Sequence, residues 1–143
     1  MTPEDKELLI KDICARLPYN VICQVEFKEN GKYNHKVMLL SGIFTDEAYF
    51  TTKGGSIYSN EYKPYLFPLS SMTEEQLFEV QEILGKNEIE IGDGFLSIID
   101  SGRNTITYLE ILAVLEWFYK NHFDVNNLIP MGLAIDATGL NIY

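Results

Sequence analysis

The stretch Tyr62-Lys63-Pro64-Tyr65-Leu66-Phe67-Pro68-Leu69-Ser70-Ser71-Met72-Thr73 limits the folds open to this chain more than any other segment. Each proline locks its own φ and pushes the residue before it out of the helical region. Lys63 and Phe67 are therefore extended, and no helix runs through residues 62–68. The fold has to be assembled on either side of a stiff strap.

On the N-terminal side a helix comes first. Thr2 is a natural cap, Pro3 suits the first helical position, and Glu4 and Asp5 complement the positive end of the dipole. Leu9, Ile13 and Leu17 recur at helical spacing with Ile10 and Cys14 beside them, and Pro18 ends the pattern. Val21, Cys23, Val25 and Phe27 then alternate with polar residues as a half-buried strand. Asn30-Gly31 supplies the positive φ values of a tight hairpin. A return strand spans about Tyr33 to Leu40, and Gly42 marks a bend or bulge. Ala48–Thr52 reads as a third strand, and Lys53-Gly54-Gly55-Ser56 turns into a fourth around Ile57 and Tyr58. These four strands form a small antiparallel meander able to curl into a partly open barrel.

Beyond the strap, Thr73 with Gln76 makes a capping box for a helix carrying Leu77, Val80, Ile83 and Leu84 to a stop at Gly85. Residues 87–100 return to β as a hairpin around Asp93-Gly94. Thr107 with Glu110 opens a long C-terminal helix through Trp117, Phe118 and Tyr119. Leu128–Gly132 reads as one helical turn and Leu133–Tyr143 as a strand or extended tail. With 143 residues, 46% hydrophobic content and no linker or repeat, the expectation is one α+β domain over residues 1–143.

Charge narrows the partners. The net charge is −10, from 21 acidic and 11 basic side chains. Nucleic-acid binding draws most of its affinity from a cationic face, and here Lys and Arg are scattered, so no nucleic-acid partner is expected. The N-terminus lacks the basic and apolar regions of a signal peptide, and no apolar run reaches the roughly 20 residues needed to span a bilayer. The expectation is a cytoplasmic protein with no membrane partner, in which Cys14 and Cys23 are reduced, buried thiols.

Candidate chemistry is thin. Ile98-Ile99-Asp100-Ser101-Gly102 resembles an aspartic-protease loop, but Arg103 stands where that family has Ser or Ala, and Asp-Ser-Gly makes ordinary turns. His35 falls on a strand. His122 ends the long helix, where a partial positive charge complements the dipole. No zinc-ligand spacing, calcium loop or phosphate-binding glycine loop occurs, so no catalytic residue, metal or cofactor is assigned. Trp117 reads as core. The strap itself reads first as a brace across the sheet. Its second reading is a rigid partner-binding surface made by Tyr62, Tyr65 and Phe67, since aromatics lose little rotamer entropy on binding.

Three stretches carry a resemblance: Ala15-Arg16-Leu17-Pro18-Tyr19, Lys63 to Glu75, and Trp117 through His122-Phe123-Asp124 to Leu128-Ile129 and Gly132-Leu133-Ala134. Over about a third of its length the chain is similar to a family of small uncharacterised proteins of anaerobic gut bacteria and their phages or prophages. That resemblance implies a mobile-element setting and no activity, cofactor or catalytic residue. The functional expectation is a non-enzymatic protein-interaction or accessory protein with a protein partner. The alternatives are a hydrolase using Asp93 or Asp100 with Glu88 or Glu90, and, more weakly, a nucleic-acid-binding small barrel.

Overall fold

A computed structural model describes residues 1–44, 47–85, 88–92, 95–99 and 107–143. The first helix, α1 (Pro3–Arg16), begins with a reciprocal cap: the Asp5 amide donates to Thr2 Oγ1 at 3.1 Å, and the Thr2 amide to the Asp5 carboxylate at 2.9 Å. That hydrogen bond holds the Asp5 carboxyl below its usual range. The face α1 buries is Leu9, Asp12, Ile13 and Arg16. Cys14 lies a helical step off that face and is exposed, so the expectation of two buried thiols holds only for Cys23.

Strands β1 (Ile22–Glu29), β2 (Lys32–Ile43), β3 (Ala48–Thr52) and β4 (Gly55–Ser59) follow one another antiparallel. The turn between β1 and β2 places Asn30 and Gly31 at φ 50° and 78°, as a tight hairpin of this sequence requires. The register of β2 against β3 shifts between Leu40 and Gly42.

The expected four-stranded meander is too small. Half of the strap is a fifth strand, β5 (Tyr62–Leu66), antiparallel to β1, and with the short final strand β8 (Ile135–Asp136) the sheet is open and six-stranded in the order β4-β3-β2-β1-β5-β8. The sixth member, β8, runs parallel to Tyr65 and Leu66. Proline in a strand is tolerated where one side needs no amide hydrogen, and β8 joins β5 only after Pro64. A 3-10 turn (Leu69–Ser71) then leads into α2 (Glu74–Ile83), and β6 (Glu88–Gly92) pairs with β7 (Phe95–Ile99) as a separate two-stranded hairpin. Last of the helices is α3 (Tyr108–Lys120). The expected long C-terminal helix is thus a 13-residue helix, with residues 121–143 beyond it returning the chain to the sheet.

Two apolar cores result. One face of the sheet (Cys23, Val25, Met38, Leu40, Phe50, Tyr62, Leu66) packs on Leu9 and Ile13 of α1 and on Leu128 and Leu133. The second core joins Leu69, Val80, Leu84, Val114, Phe118 and Phe123 between α2, α3 and the segment after α3.

Candidate functional site

The three stretches that carry the resemblance meet where the two cores adjoin. Arg16, wholly buried, is paired through Nε and Nη2 with the two carboxylate oxygens of Asp12, one turn earlier on α1. Its Nη2 also donates to the Phe123 carbonyl at 2.8 Å, and its guanidinium lies 4.9 Å from the Tyr119 ring centre. Asn126 donates to the Asp12 carboxylate at 2.8 Å. Burying two charges is costly unless they are paired and further hydrogen-bonded, and these contacts meet that need at every polar atom of the pair except Arg16 Nη1, which is buried without a hydrogen-bond partner among the described residues.

Around Arg16, backbone bonds from strap to loop close the arrangement. The Phe67 amide donates to the His122 carbonyl at 2.9 Å, and the Asp124 amide to the Phe67 carbonyl at 2.8 Å. The Asp124 side chain, buried, accepts from the Leu128 and Ile129 amides, both at 2.8 Å, and folds the loop on itself. A cleft of about 410 Å³ lies beside it, lined by Pro68, Leu69, Ser70, Asp124, Asn127 and Pro130 among others. Both Asp124 oxygens accept backbone amides, so this carboxylate holds the turn that forms one side of the cleft.

His122 sits just beyond α3 in the left-handed conformation (φ 60°), its ring stacked on Tyr143 at 3.8 Å. The expectation of a cationic helix cap is wrong: burial, reinforced by the Arg16 charge, lowers the imidazole from 6.5 to about 4. Desolvation disfavours the charged ring, so it is neutral at pH 7. Unfolded His122 takes up its proton near pH 6.5, and the folded ring does so only near pH 4. Its contribution to stability is therefore complete above pH 6.5, is lost as the pH falls toward 4, and amounts to at most about 3 kcal/mol before solvent screening of the ring. His122→Asn keeps a residue type that tolerates positive φ and should flatten this part of the profile. Urea midpoints of both proteins between pH 4 and 7 test this; parallel curves would refute it.

The strap residues nominated as a partner surface lie inward. Tyr62 is buried against Phe50 (ring centres 5.2 Å apart), and burial raises its hydroxyl to about 12. Tyr65 is buried too, its carbonyl accepting the Tyr143 hydroxyl at 2.7 Å. Phe67 is half-buried, 6.1 Å from the Phe123 ring. As they stand, Tyr62 packs within the sheet's core, and Tyr65 and Phe67 tie the sheet to the segment after α3. Asp93 and Asp100, the candidate acids of a hydrolase, lie outside the described residues, and Glu90 is exposed on β6. His35 is exposed, 3.7 Å from Glu26 across the β1–β2 ribbon. Among the described residues no group of three His, Cys, Asp or Glu side chains is placed to hold a metal, and no helix is long and apolar enough to cross a membrane.

The sequence reading overlooked the outer face of α3. Tyr108, Leu109, Ile111, Leu112 and Leu115 are between 36% and 74% exposed, while Val114 and Phe118 enter the core. Positions 108, 111, 112 and 115 fall at helical spacing and form one stripe. Phe78 of α2 is 60% exposed as well. The signal was present in the sequence: apart from Glu110, Glu116 and Lys120 every residue of this helix is apolar or aromatic, more than one buried face requires. Comparison with known proteins adds no assignment: no family model, no curated protein and no solved structure matches the chain.

Proposed function

We propose that this is a non-enzymatic protein-interaction or accessory protein that binds its partner through the exposed face of α3. The observation that carries this reading is the apolar stripe Tyr108–Ile111–Leu112–Leu115 on a chain of net charge −10. Contiguous apolar surface is costly to leave in water and marks contact sites on proteins of this size. The resemblance to small proteins of gut bacteria and their phages fits an accessory role of this kind.

The test is a Leu112→Glu/Leu115→Glu double variant. Both positions are solvent-facing, so its stability should stay within about 1 kcal/mol of the parent. Its self-association by sedimentation, or its capture of a host protein identified with the parent chain, should disappear. Parent protein that stays monomeric and captures nothing from its native host would remove the reading.

A further inference from the structure

A second surface has a more definite chemistry. Strand β4 ends the six-stranded sheet and pairs only with β3 among the named strands. Strand β1 is covered by β5 only at Cys23, Gln24 and Val25, followed by a bond from the Glu26 amide to the Glu61 carbonyl at 2.9 Å. Past that bond, Phe27–Glu29 has β2 on one side and, among the described residues, no strand on the other. The two open edges meet at one end, where Ser59 Oγ donates to the Glu26 carbonyl at 2.9 Å. From that junction a groove of about 540 Å³ runs between them, with Ser56 to Glu61 on one wall and Glu26 to Lys28 with Tyr33 on the other.

Edge strands are normally guarded by Lys, Pro or an inward charge, because a bare ladder invites pairing. Strand β4 (Gly55-Ser56-Ile57-Tyr58-Ser59) carries none of these. The walls also have a sign: Glu26, Glu47 and Glu61 line the groove against Lys28 alone. Two aromatics stand exposed there, Tyr33 and Tyr58, and Lys28 Nζ already lies 5.7 Å from the Tyr33 ring centre. A cation held near an aromatic face beside carboxylates is favourable.

We propose that this groove binds an extended basic segment of another protein, which adds to β4 as an antiparallel strand. Backbone pairing supplies affinity in such augmentation, and alternate side chains supply selectivity. Here the selective positions take Lys or Arg against Glu47, Glu61 and the tyrosines. A second copy of the chain is disfavoured as occupant, since pairing β4 with itself brings the same glutamates face to face. Because the surface is separate from α3, the inference shares the interaction reading but not its site.

The test uses the full chain and a labelled peptide, acetyl-Lys-Val-Arg-Val-Lys-amide, followed by fluorescence anisotropy. Saturable binding is expected, weakening by about tenfold between low and moderate salt. Glu47→Lys/Glu61→Lys should cost about tenfold or more with an unchanged melting temperature, both side chains being exposed. Methylating alternate peptide nitrogens should cost a similar factor, because it removes the ladder donors while keeping the charge. Leu112→Glu/Leu115→Glu should bind the peptide like the parent, which separates failure here from failure of the α3 reading. Equal binding of the methylated peptide or of acetyl-Glu-Val-Glu-Val-Glu-amide would overturn the proposal. So would no binding at millimolar peptide, or a β4-mediated dimer that the peptide does not compete.

Discussion

Asp12→Ala is expected to destabilise the fold by about 3–5 kcal/mol, because it leaves the Arg16 guanidinium buried without its counter-charge. Both side chains are inaccessible to solvent, and without Asp12 the guanidinium keeps only the Phe123 carbonyl and the Tyr119 ring among its contacts described above. Against a total stability of about 5–15 kcal/mol for a domain this size, that is a large fraction. Asp12→Leu/Arg16→Met, which replaces the pair with apolar side chains, should recover part of the loss. Recovery is incomplete because the Asn126 side-chain amide loses its carboxylate partner and the Phe123 carbonyl keeps only the Val125 amide, at 3.1 Å. Urea unfolding of both proteins measures this. If Asp12→Ala costs no more than a surface substitution, the pair does not govern how α1 docks.

The second large effect is expected at Phe123. Its ring stacks on Trp117 (5.7 Å, 11° between planes) and meets Phe118 edge-on at 6.1 Å, while its carbonyl receives Arg16. One residue thus fills the second core and anchors the first. Phe123→Ala should cost about 3–5 kcal/mol through the cavity it leaves, whereas Phe123→Leu should cost about 1.5 kcal/mol or less. A similar cost for both would mean that the site collapses around the lost ring and that the backbone carbonyl, not the side chain, is what matters.

Local structure was readable from residues whose preferences act over a few positions. Asn30-Gly31 turns as its φ requirement dictates, and Thr73 with Gln76 and Thr107 with Glu110 form the capping boxes their spacing implies. Pairing across the chain was not readable. Pro64 marks the strap as extended, but the apolar face that seats it on β1 is shared between strands thirty or more residues apart. Asp12 and Arg16 were passed over because charged side chains are rarely buried. Their spacing of four, between Leu9 and Ile13 on one face, is the pattern a buried pair would have. The candidate surface is elsewhere for the same reason. Aromatic content marks Tyr62, Tyr65 and Phe67, which lie inward, while nothing in the spacing of the α3 leucines says which of them a neighbouring element covers.

The bond from Arg16 to Phe123 also bears on the order in which the molecule assembles. It spans 107 residues, and the bond from Asn126 to Asp12 spans 114. Contacts this distant in sequence form late and slow the search for the native state. During synthesis α1 is made among the first elements, yet its charged pair gains its outer partners only once the loop after α3 has been made. The polar contacts that lock α1 in place are therefore complete only when the last part of the domain is present. A nascent chain of this design holds an incompletely locked core over that interval, when incompletely packed chains most need protection from aggregation.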